Sequence, residues 1–184
     1  GPPLPHLQGF IAAAKNAMPA VAITDTGNLF GALEFSEALV EKAIQPIIGL
    51  AVKVDLGDAT ANAKQQTALR NLPSLVLLAQ TEAGYANLMR LTSRSFLDVT
   101  PQDEAHVTWS LLEQCAEGLI CLSGGPSGPL NEAIVQGQVS LAEATSAKLK
   151  ALFGDRFYIE LQRHGLEPER AAEKLLIEIA YGQD

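Results

Sequence analysis

Three polar clusters stand where apolar runs end and could do chemistry: Thr24-Asp25-Thr26, Ser123-Gly124-Gly125, and Gln162-Arg163-His164. Asp25 follows the apolar run Ala20–Ile23. A carboxylate there can bind a metal or orient a ligand; equally it can cap the next helix or brace the turn. His164 precedes Gly165, and an imidazole becomes a metal ligand only where other ligands converge. The chain holds three histidines, His6, His106 and His164, with no H-x-H or H-x-x-x-H spacing, so a multi-metal site from this chain alone is not expected. The glycine-rich turn after Leu122 could offer backbone N–H groups to a phosphate. It lacks the G-K-[ST] ending of a P-loop and the G-x-G-x-x-G spacing, so it reads as a tight connection. Glu160 is a carboxylate in an apolar stretch, which must face solvent, a polar cleft or a cationic partner.

The elements that hold these clusters alternate between helix and strand. Leu7, Phe10, Ile11 and Ala14 recur at helical spacing, as do Ala32, Phe35, Leu39 and Val40. Strands are expected at 20–24, 46–54, 74–79, 118–122 and 156–161. Thr81 is placed to cap a helix carrying Tyr85, Leu88, Met89 and Phe96. A short helix is expected from Trp109 to Ala116 and another from Leu130 to Val135. Ser140 and Glu143 have capping-box spacing for a helix ending near Gly154, and Pro168 suits the first turn of a last helix. Gly57–Pro73 and Val99–Val107 read as loops. Strands joined through helices imply a mostly parallel α/β sheet, open or closed into a barrel, with its site at the carboxyl ends of the strands.

The totals bound the function. With 184 residues and 47% hydrophobic residues, the chain can bury one sizeable core. A net charge of −8, with Lys and Arg scattered, makes this stretch a poor binder of phosphate backbones. No apolar run approaches the roughly 20 residues needed to span a bilayer, and no signal peptide opens the sequence. Cys115 and Cys121 lack metal-ligand spacing and read as packed, reduced thiols, which fits a cytoplasmic protein.

Five segments, in order, carry a resemblance. They are Ala22-Ile23-Thr24-Asp25-Thr26-Gly27-Asn28-Leu29-Phe30-Gly31-Ala32, Ile44-Gln45-Pro46-Ile47-Ile48-Gly49, Gly84-Tyr85-Ala86-Asn87-Leu88-Met89, Gly118–Gly125 and Tyr158–Gly165. Together they resemble the PHP domain, named for polymerase and histidinol phosphatase, of the bacterial DNA polymerase III alpha (catalytic) subunit family. The resemblance implies a distorted (β/α) barrel of PHP type, incomplete in this chain: residues 1–184 would be one partial PHP domain without a second domain. It begins after the family's opening H-x-H-x-x-x-S strand and stops before the next barrel strand, so an open strand edge and poor folding in isolation are expected.

The resemblance also implies a function. The region would be the N-terminal scaffold of a DNA-directed DNA polymerase, a nucleotidyltransferase of bacterial DNA replication. It would brace the polymerase and dock the proofreading exonuclease subunit among other replicase subunits, with DNA held by other domains and no membrane contact. Mg is implied for the parent's polymerase site, whose catalytic carboxylates lie beyond Asp184; no residue here is catalytic. The PHP metal cleft is expected to be largely lost. Thr26 stands where metal-binding members have His, and Ala51 where they have a carboxylate. His164 remains as a remnant metal-ligand position, with Asp25 as a group supporting it. The alternative is a metal-dependent phosphoesterase or 3′–5′ exonuclease acting through that cleft.

Overall fold

The structure, a computed structural model, describes residues 17–57 and 72–182. The helical pattern at Leu7–Ala14, His6, and most of the Gly57–Pro73 loop lie outside these residues.

The described elements are β1 (Ala20–Thr26), α1 (Ala32–Val40), β2 (Gln45–Asp55), β3 (Ser74–Ala79), α2 (Glu82–Leu97), β4 (Val107–Thr108), α3 (Trp109–Gln114), β5 (Leu119–Leu122), α4 (Pro129–Val135), α5 (Val139–Phe153), β6 (Phe157–Tyr158) and α6 (Glu167–Tyr181). The sheet order is β1-β2-β3-β5-β6, with β4 added beside β2. β1–β2, β2–β4 and β5–β6 are parallel, while β3 is antiparallel to both β2 and β5. All strands therefore run one way except β3, and the mostly parallel expectation holds with that one reversal. The ladder of described strands ends at β1 and at β6, so the sheet is open and the closed barrel is not seen among the described residues.

Strand alternation sorts the side chains onto two faces. Ile23, Leu50, Val52, Leu75, Leu77, Leu119, Cys121 and Phe157 are buried on one face. All of these but Ile23 join Leu88 and Leu91 of α2, Leu112 of α3, Leu130 of α4, Leu149 and Phe153 of α5, and Leu176 of α6 in one core. Helix α1 covers the β1 end of the same face, where Phe35, Leu39 and Ile44 pack on Ile23. The opposite face carries Thr24, Thr26, Ala51, Val76, Leu78, Leu122 and Tyr158, all half-buried or exposed. Both cysteines are free and buried, and burial raises the thiol pKa of each.

Local chemistry fixes the boundaries. Thr81 caps α2, its Oγ1 accepting from the Gly84 N–H at 3.1 Å, as its spacing predicts. Three expectations need correction. β4 begins at Val107, the last residue of the stretch read as a loop: Val54 pairs with Val107 in a two-residue contact too short to show a period. The last strand stops at Tyr158 rather than Leu161, because the Glu160 N–H turns from the ladder to the Ser123 hydroxyl at 2.9 Å. Helix α5 starts at Val139, so Ser140 lies inside its first turn and the capping box does not form. There the Gly137 turn (φ +74°) and a Gln138 N–H to Ala133 O bond of 2.8 Å begin the helix early.

Candidate functional site at the carboxyl edge of the sheet

Because only β3 is reversed, the carboxyl ends of β1, β2, β5 and β6 share one edge with the amino end of β3. All three polar clusters picked out in the sequence lie along it. At β1, Thr26 is the register partner of Ala51 on β2, and Asp25 that of Leu50. Gly27 (φ +70°) turns the chain there, its N–H bonding Ala51 O at 2.9 Å. Asn28 clamps the following turn, donating to Thr26 O and accepting from the Phe30 N–H, both at 3.1 Å.

Alternation puts Asp25 on the opposite side of the sheet from Thr26. Its carboxylate faces the start of α1: a methyl group on Gly31, the residue preceding that helix, would lie 3.2 Å from Asp25 Oδ2. A carboxylate in that place favours the partly positive helix N-terminus.

His164 sits after β6 in a turn organised by Glu169. That carboxylate accepts from the His164 N–H at 2.8 Å and the Leu166 N–H at 3.2 Å, and it pairs with His164 Nδ1 at 2.8 Å. The Glu169 side chain is only 3% exposed, whereas that of His164 is 69% exposed. The hydrogen bond from His164, with smaller contributions from the two backbone donors, holds the Glu169 carboxyl below its ordinary pKa. Sequence reading missed Glu169, whose only signal was an acidic residue in the first turn of a helix. The neighbouring Arg163 pairs with Glu173, Nε to Oε1 at 3.1 Å.

Glu160 is partly buried and is paired with Gln162. Its Oε1 accepts from Gln162 Nε2, while its Oε2 is buried without a hydrogen-bond partner. Gln162 in turn lies against Gly125, its Nε2 2.5 Å from where a Cβ would stand. Asn131 Oδ1, on α4, is a second buried acceptor without a partner. Lys53 also went unnoticed in the sequence. It pairs with Glu104 and acts electrostatically on Glu132, whose carboxyl is pushed up by burial and lowered in part by that lysine.

These donors do not fit the metal cleft of the resembling family. A threonine hydroxyl is a weak metal ligand and alanine offers none. The Nδ1 of His164 is taken by Glu169, and Asp25 is held at α1 while His164 is held at α6. Among the described residues, no three His, Cys, Asp or Glu side chains form a group that could hold a metal ion.

Among the described residues no helix is long and apolar enough to cross a membrane. The chain is 43% identical over 173 residues to a DNA polymerase III subunit alpha of Caulobacter vibrioides, covering 94% of this chain and 15% of that protein. It is 39% identical over 176 residues to that of Treponema pallidum, covering 95% and 15%. It is 36% identical over 162 residues to that of Thermus aquaticus, covering 88% and 13%. The chain thus spans about 15% of the length of these curated relatives. The sequence profile of the PHP domain matches residues 9–164, most of its length, and the chain belongs to the PHP domain family.

Proposed function

We propose that this chain is the PHP scaffold of a replicative DNA-directed DNA polymerase of the alpha-subunit kind. It braces the polymerase and docks the proofreading exonuclease subunit. The observation that carries the scaffold reading is the pairing of Thr26 with Ala51: two adjacent positions on one face, neither with a metal donor of useful strength. Further strands of the parent would cover the half-exposed face of Thr24, Ala51, Val76, Leu78 and Leu122 and close the distorted barrel. Polymerisation, with its Mg and its DNA contacts, belongs to other domains of the parent, in a cytoplasmic replicase.

Titrating the full-length parent with the exonuclease subunit tests docking; absence of binding at micromolar concentrations rejects it. Metal analysis of the same protein tests the scaffold reading. Stoichiometric Zn or Mn, with phosphoester hydrolysis abolished by His164→Ala, would install a metal-dependent phosphoesterase or exonuclease in its place.

A further inference from the structure

The clamped turn after β1 splits two neighbouring apolar residues between inside and outside. Leu29 packs against the core. Phe30, held by the Asn28 bonds on the same turn, is 91% exposed. Helix α1 repeats the division. Phe35 and Leu39 are buried, while Leu33 and Val40 are 70% and 64% exposed on its outer side. The end of α2 adds to this surface: a Cβ on Gly27 would touch the Phe96 ring at 3.9 Å, and Phe96 and Leu97 are both exposed. Exposed aromatic and aliphatic side chains grouped on ordered backbone mark an interaction site more often than a random surface.

The charges along α1 are mostly negative, with Lys42 following the helix as an exposed cation. Glu34 and Glu37 are exposed between Leu33 and Val40, Glu41 is exposed just after them, and Ala32–Val40 contains no basic residue. Arg94 on α2 is already paired with Asp98 at 2.7 Å. An occupant that covers the apolar residues would bring Lys or Arg to these carboxylates. The chain spans about 15% of its curated relatives, and polypeptide tethered to this domain acts at a high effective concentration.

We propose that Phe30, Leu33, Val40, Phe96 and Leu97 form an interdomain docking face, occupied by an apolar, Lys/Arg-rimmed surface of the same polypeptide outside the PHP region. The inference rests on the brace reading above and says which face does the bracing.

The test is site-specific photo-crosslinking in the full-length polymerase chain, with its replicase subunits present. A benzophenone side chain replaces Phe30 in one protein and the fully exposed Asp155 in a control. Crosslinked peptides are identified by mass spectrometry, and primer extension is measured on the same samples. Position 30 is expected to crosslink to a segment of its own chain outside the PHP region that contains Lys or Arg, and a crosslink confined to the PHP region would overturn the proposal. The yield should fall severalfold in about 0.5 M salt, and likewise in the Glu34→Gln/Glu37→Gln/Glu41→Gln background. A yield no higher than at position 155, a crosslink to a separate subunit, or a captured segment without basic residues would overturn the proposal. Loss of primer extension with the crosslink intact would strike the polymerase reading alone; an active polymerase without the crosslink would strike the docking face alone.

Discussion

Thr26 and Ala51 are direct register partners in the parallel pair β1–β2, on the face opposite the helix-packed core. Their adjacency means that two side chains of suitable chemistry would meet there without rearranging the backbone. Installing donors should therefore restore metal affinity. In the full-length protein, Thr26→His/Ala51→Glu is expected to bind Zn at least about tenfold more tightly than either single variant, because the second ligand acts intramolecularly. Calorimetric titration checks this; equal affinity for double and single variants would show that the two positions do not cooperate.

Glu169 makes the His164 turn sensitive to acid. Its folded pKa lies below the ordinary carboxylate value, so its contribution is complete above that value and is lost as pH falls through the lowered one. Glu169→Gln should lower the thermal midpoint at neutral pH. The gap from wild type should close as pH falls below about 4. A gap independent of pH would assign the effect to packing instead of charge.

Gly84 sets two opposing effects against each other. Alanine is favoured over glycine inside a helix by about 1 kcal/mol. A Cβ at Gly84, however, would run into the Gly118 carbonyl, which is fixed by the Gln80 N–H at 2.9 Å. Backbone on both sides cannot yield cheaply, so the clash wins. Gly84→Ala should destabilise by about 1–3 kcal/mol in urea unfolding.

Thr81 offers a milder test of the same junction. Thr81→Ala removes the oxygen that accepts the Gly84 N–H and should cost about 1 kcal/mol. Thr81→Ser keeps that oxygen and should recover most of the loss. If serine were as damaging as alanine, the methyl contact rather than the cap would be responsible.

Lys148 ties α5 to two distant segments. Its Nζ donates to Leu56 O at 2.6 Å and lies 4.2 Å from the centroid of the Trp109 ring. Lys148→Met should cost about 1–2 kcal/mol. Trp109 is the sole tryptophan, so its emission reports the change directly. Emission should shift in Lys148→Met and stay constant in Lys150→Met.

Much of the fold was legible because local rules agree with it. The apolar runs at 20–23, 46–52 and 74–79, the α1 face at Ala32, Phe35 and Leu39, and the Thr81 cap all carry short-range signals. The boundaries that escaped depend on distant partners: Val107 becomes a strand only beside Val54, and Glu160 leaves the ladder only because Ser123 stands opposite. By itself the sequence determined the family, the alternation of helix and strand, and the absence of donors at Thr26 and Ala51, since residue type and order suffice for these. Only the tertiary structure decided that Thr26 and Ala51 are neighbours, that Asp25 turns to α1, and that Glu169 takes the His164 ring. Strand register and side-chain direction arise from pairings between residues far apart in the chain, and a sequence pattern holds no measure of those distances.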